Sequence, residues 1–133
     1  MKKAVLAIIV CMAVILGACK EKTVINKYSI GCIGFSASSY NASDWTTLQD
    51  YFSSTVTYNT TVTFESSSES ENDYKAKNLY NEQIKKLDTA YVCSLLNEPD
   101  FFIYGIYTLT SDSSYRVLGA LRFEHNGTSE SNQ

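Results

Sequence analysis

The segment STVTYNTTVTFES, residues 54–66, decides the fold. Val56, Tyr58, Thr60, Val62 and Phe64 fall on one side of an extended chain, and Thr57, Asn59, Thr61 and Thr63 on the other. Alternation of this kind, rich in β-branched and aromatic residues, predicts a strand with one dry and one wet face. Its dry face needs a covering layer, and both flanks supply one.

Upstream, after the loop SASSYNASD (36–44), Trp45, Leu48 and Phe52 recur at i, i+3 and i+7, which predicts a helix capped by Ser43 or Asp44. Downstream, ESSSESEND (65–73) is polar and acidic and predicts a solvated loop. Ala76, Tyr80, Ile84, Leu87 and Tyr91 then keep helical spacing up to Asn97-Glu98-Pro99-Asp100, which holds the only proline. Further out, VINKYSIGCIGF (24–35) reads as a strand. Its parity switches between Cys32 and Ile33, and Gly31 and Gly34 beside the switch predict a bulge or a close backbone approach. FFIYGIYTLT (101–110) and YRVLGALRFE (115–124), joined by SDSS, predict a hairpin. The order β-α-β-α-β-β predicts an α+β two-layer sandwich: a four-stranded mixed sheet with two helices on one face and a right-handed β-α-β crossover. The single domain spans 24–125, and 126–133 is a polar tail.

The head of the chain is different in kind. Lys2 and Lys3 precede Ala4 to Ala18, which are apolar or Gly throughout. A spanning helix needs about 20 such residues, so this stretch reads as a secretory signal peptide, residues 1–18. Leu16-Gly17-Ala18-Cys19 resembles the lipobox of bacterial lipoproteins. The resemblance covers the first nineteen residues and implies that Cys19 is diacylated on sulfur, becomes the first mature residue and is acylated on its amine. Each buried methylene contributes about 0.8 kcal/mol, so two or more chains anchor firmly where one binds marginally. The tether 19–23 spans about 17 Å at most. Lys20 in place of Asp after the cysteine implies, by the same resemblance, the outer membrane in a Gram-negative envelope.

Charge excludes one class of partner. Loss of Lys2 and Lys3 leaves nine of the eleven basic side chains against fourteen acids, a net charge of −5. Phosphate-backbone binding calls for a cationic footprint, so nucleic acid is not expected as a partner. The 115 mature residues suit one domain.

Cys11 leaves with the signal and Cys19 takes lipid, so Cys32 and Cys93 remain. In an oxidising compartment they form either a disulfide or two buried thiols. A disulfide closing about 60 residues would contribute roughly 4 kcal/mol.

Motifs for chemistry are scarce. His125 is the only histidine, and neither Cys-x-x-Cys nor His-Glu-x-x-His spacing occurs, so no metal is expected. No Walker or G-x-G-x-x-G glycine pattern occurs, so no cofactor is expected either. Cys93 and His125 form a nucleophile and base only if the last strand ends beside the second helix. Glu65, Glu69, Glu71 and Asp73 crowd one stretch, but among serines they lack the apolar pocket that raises a catalytic carboxyl. Asn41, Asn59 and Asn126 begin Asn-x-Ser/Thr triplets, which matter only in a eukaryotic secretory pathway.

Aromatic content remains. Ten Tyr, six Phe and Trp45 exceed what one small core needs, and Tyr suits interfaces. With a three-residue hairpin loop, Gly105 faces Gly119, leaving a dip flanked by Tyr104, Tyr107, Leu118 and Leu121. Either a helix packs into that dip, or the sheet face opposite the helices presents these residues to a partner. The leading expectation is a lipid-anchored, non-catalytic cell-envelope module that contacts a protein or glycan through this aromatic face. The alternatives are a periplasmic inhibitor or immunity-type lipoprotein using the acidic stretch 65–73, and a small hydrolase using Cys93 and His125.

Overall fold

The computed structural model describes residues 22–38 and 41–130. The signal peptide, Cys19 and the last three residues of the predicted tail lie outside the described residues. Eight elements follow one another: β1 (Val24–Ser36), α1 (Ala42–Thr55), β2 (Thr60–Ser66), α2 (Glu69–Lys85), α3 (Thr89–Ser94), β3 (Phe101–Leu109), β4 (Tyr115–Glu124) and β5 (Gly127–Glu130). The five strands form one sheet in the order β2-β1-β3-β4-β5, and every neighbouring pair is antiparallel. The α+β class stands, while the mixed four-stranded sheet gives way to five antiparallel strands.

Register explains the difference. β2 pairs only with the first half of β1, from Val24 opposite Ser66 to Ile30 opposite Thr60. α1 therefore carries the chain from Ser36 back only to the level of Ile30, which leaves β2 antiparallel to its neighbour. α2 and α3 then return the chain to the far end of the sheet, where Phe101 pairs with Ser36. β2 and β3 thus run parallel with β1 between them. The fifth strand comes from the supposed tail, as Gly127 to Glu130 pair back onto Glu124 to Leu121.

Local chemistry moves several boundaries. Asn41, not Ser43 or Asp44, caps α1, its side chain accepting from the Asp44 amide at 2.7 Å. α1 runs through Thr55, and the Val56 N–H donates to the Phe52 carbonyl, so the front half of the predicted 54–66 strand is helix end and turn. Asn59 there has φ 48°, a left-handed conformation that asparagine tolerates. The acidic stretch is not all loop, because Ser68 caps α2 and Glu69 and Glu71 occupy its first turn. Carboxylates are favoured at that positive end of a helix. The long second helix is two, since Lys86 closes α2 and Asp88 caps α3 by accepting from the Tyr91 amide. Among the described residues no helix is long and apolar enough to cross a membrane.

α1 and α2 cover one face of the sheet. Phe52 of α1 is fully buried and its ring lies 4.7 to 5.8 Å from those of Phe102, Tyr104 and Phe123. Burying an aromatic ring of this size removes about 150–250 Å² from water. Asn72 of α2, also fully buried, donates from Nδ2 to the Val24 carbonyl at 3.0 Å and to Asn26 Oδ1 at 2.7 Å, which fastens the helix to β1. Arg116 of β4 reaches back to Asp73 at 2.5 Å and Glu69 at 2.8 Å.

Candidate functional site

Two bulges sort the sheet's side chains between its faces. The first, anticipated at the Gly31 to Gly34 switch, shifts the β1–β3 register between Cys32 and Gly34. The second was not anticipated. Leu109 pairs with Tyr115 and Tyr107 with Val117, but Ile106 pairs with Gly119, so Leu118 is an extra residue in β4. A slip of one residue moves every later side chain to the other face. Gly105 therefore faces Ala120, not Gly119.

The two glycines consequently lie on opposite faces. A Cβ on Gly119 would meet the Tyr80 ring of α2 at 2.6 Å, and one on Gly105 would meet Ile33 Cδ1 at 2.6 Å. The dip inferred from sequence is two separate contacts, each filled by a large side chain.

The residues predicted to flank it separate as well. Tyr104 is not on the uncovered face. It is fully buried beneath the helices, its hydroxyl donating to the Thr57 carbonyl at 2.6 Å and its ring stacked on that of Tyr80. Burial raises its hydroxyl well above the ordinary tyrosine value. Leu118 and Leu121 pack on the helix side and line a cleft of about 540 Å³ with Lys77, Tyr80 and Ile84 of α2. Only Tyr107 lies on the uncovered face.

That face is nevertheless apolar. Alternation along β3 places Phe101, Ile103, Tyr107 and Leu109 on it, and their partners add Tyr115, Val117 and Arg122. Ile33, Tyr107, Tyr115 and Val117, with Cys32, line a shallow depression of about 390 Å³. Ile25, Leu109 and Tyr115 are exposed to 59%, 60% and 66%. The Tyr107 and Tyr115 rings meet edge to face at 5.2 Å. At the other end, the Arg122 guanidinium sits 3.9 Å over the Phe101 ring and Nε donates to Glu124 at 2.8 Å. Polar residues frame the apolar stripe, with Thr61, Thr63 and Glu65 of β2 opposite Ser29, Lys27 and Ile25.

Cys32 and Cys93 are free thiols. Cys32 is half-buried in β1, and burial raises its thiol. Cys93 is buried in α3 and lines a surface cleft with Thr89, Ser94 and His125. His125 sits in the β4–β5 turn with Nδ1 2.9 Å from the Leu96 carbonyl. Burial raises the Cys93 thiol too, the backbone of Glu124 and Gly127 opposing it only in part. A nucleophilic cysteine needs the opposite shift.

The acids of 65–73 are spoken for in part. Burial alone would raise Asp73, but hydrogen bonds from Arg116 and the Tyr28 hydroxyl hold it below the usual carboxylate range. Glu69 shares Arg116, and Glu71 accepts from the Ser67 hydroxyl at 3.1 Å. Among the described residues no three His, Cys, Asp or Glu side chains gather in a way that could hold a metal ion.

No protein-family model matches this chain, and no curated protein or solved structure is similar to it at a level that marks a relative. Ile25, Ile33 and Tyr115 were missed by the sequence reading of the face. Their signal lay in the Gly31 to Gly34 switch, and in Leu109 pairing with Tyr115 across the hairpin.

Proposed function

We propose that the chain is a lipid-anchored protein of the bacterial cell envelope, held at Cys19, and that it works as a non-catalytic binding module. Its contact surface is the helix-free face of the sheet, centred on Tyr107, Ile33 and Val117. The partner is an envelope protein or glycan. The observation that carries the reading is the asymmetry of the sheet: α1 and α2 cover one face, while the other holds large apolar side chains exposed by more than half. Contiguous apolar surface of this kind marks contact sites, and a tyrosine-bearing surface framed by polar residues has the composition of an interface. The inhibitor reading draws less support, because Asp73 and Glu69 are engaged by Arg116. The hydrolase reading is opposed by the raised Cys93 thiol.

A photo-crosslinking amino acid placed at 107 or 117 in intact cells tests the reading, with position 74 as control. Tyr74 is exposed but lies on α2. Adducts from 107 and 117 and none from 74 are expected. Adducts that favour 74 move the contact surface to the helical layer and overturn the proposal.

A further inference from the structure

The first strand begins at Val24, five residues after Cys19, and the same end of the sheet carries the most exposed apolar side chains of the helix-free face. Ser29 pairs with Tyr107, so Lys27 is level with Leu109, and Ile25 lies one repeat of two residues, about 7 Å, further toward that end. Tyr115 pairs with Leu109 on the next strand. Ile25, Leu109 and Tyr115 thus form a cap across β1, β3 and β4, about 10 Å wide from two interstrand spacings. The far end of β1, at Phe35, is about 36 Å from Val24 at 3.3 Å per residue. A tether of at most about 17 Å keeps the Val24 end near an acyl anchor and leaves the Phe35 end beyond its reach when the strands rise from the bilayer.

We infer that this cap rests on the lipid surface, so that Ile25, Leu109 and Tyr115 seat the domain with its strands tilted, the Val24 end of the helix-free face leaning onto the bilayer and the Phe35 end raised off it. The inference rests on the lipid anchor at Cys19 proposed above. Its chemistry is apolar and not electrostatic. Glu65 faces Ile25, Asp112 sits at the hairpin tip, and Glu69 and Glu71 begin the helix that follows β2, so acids gather at the end where Lys22 and Lys27 also lie. An anionic bilayer would repel them, and a zwitterionic one would not. Tyr is suited to the headgroup level, where one end of the ring is apolar and the other wet. A flat posture is disfavoured because the middle and far part of the face would press Thr61, Arg122 and Glu124 onto lipid. The tilt raises Tyr107, Ile33 and Val117, which lie toward the Phe35 end, off the lipid and leaves them open to a partner.

The test uses the full acylated protein in phosphatidylcholine vesicles whose acyl chains carry bromine near the headgroup. Trp45 is the only tryptophan. It is replaced by Phe, and one indole is introduced at the cap by Tyr115→Trp or at the opposite end by Phe35→Trp, both at exposed sites. Bromine should quench the indole at 115 at least twofold more than the one at 35, and phosphatidylglycerol should reduce that difference. Adding Leu109→Asp to the Tyr115→Trp chain should lower the quenching while the intact mass stays that of the acylated form. Equal quenching at both sites in a protein whose mass shows the acyl chains overturns the tilted seating and leaves the anchor standing. A mass without acyl chains overturns the anchor and this inference with it.

Discussion

Gly119→Ala asks whether this glycine is a packing requirement of Tyr80 or an open dip. A Cβ at 119 would lie 2.6 Å from Cε1 and 2.7 Å from Cδ1 of Tyr80, well inside the roughly 3.5–4.0 Å at which carbons touch. Tyr80 cannot easily swing away, because it is buried and stacked on Tyr104 at 5.9 Å between centroids. Relief needs the ring, and α2 with it, to shift by about 1 Å, and overpacking of that order costs about 1–3 kcal/mol. Tyr80→Ala alone leaves a cavity and should cost about 3–5 kcal/mol, as for other buried aromatic truncations. Independent effects would sum to about 4–8 kcal/mol, enough to unfold many domains of this size. With the ring removed, however, the three atoms nearest the new methyl are gone. The double variant should therefore be no less stable than Tyr80→Ala, an interaction of about 1–3 kcal/mol in a double-mutant cycle. Urea unfolding of the unacylated Cys19→Ser chain at constant m reads all four corners. Gly105→Ala is the contrasting case. There Ile33 Cδ1 and the Gly119 carbonyl oxygen both lie 2.6 Å from the new carbon, so Ile33→Ala should relieve it only in part. A Gly119→Ala chain as stable as wild type, or a strictly additive double variant, refutes the packing argument.

Asp73→Asn should change the response of stability to acid. Asp73 is lowered in the folded state, so its contribution is present above the unfolded value near 3.9 and is lost as pH falls through the folded value. Wild type and variant should differ by no more than about 1 kcal/mol at neutral pH, since Arg116 is partly exposed and screened, and should converge in strong acid. A difference that does not vary with pH contradicts the assignment. The two free thiols should react slowly with a thiol reagent in the native protein and readily after unfolding, because burial raises both. A gain of two hydrogens in intact mass on reduction would show a disulfide and contradict the free-thiol arrangement.

Most of the elements were legible because their periods are local. Leu48 and Phe52 at helical spacing, and Tyr28 and Ile30 at strand spacing, are all buried as their patterns require. The β1 bulge was legible because two glycines flank the parity switch. What could not be read depends on partners distant in sequence. Leu118 has Gly119 beside it but no second glycine and no switch of parity in the apolar pattern, and it becomes a bulge only through pairing with β3. That single extra residue parts Gly105 from Gly119, and the predicted dip disappears with it. β5 was missed because GTSE has no apolar alternation, and its order comes from hydrogen bonds to the edge of β4.

The aromatic excess that first drew attention to a surface has a mainly internal explanation. A buried tyrosine needs a partner for its hydroxyl, and here those partners join separate elements. Tyr28 donates to Asp73 at 2.6 Å, linking β1 to α2, and Tyr104 links β3 to the turn after α1 through Thr57. Tyr51 accepts from the Asp88 amide at 2.7 Å, and Tyr58 donates to Gln49 at 2.5 Å. In a small α+β domain with two helices on one face, rings that carry their own hydrogen-bond donor both fill the layer and fix its register, which Phe could not do. Composition alone is therefore a poor guide to the contact surface. On the helix-free face Tyr107 and Tyr115, with Ile25 and Leu109, take no part in these links, and they carry the proposals made for that face because the layer beneath the helices has no use for them.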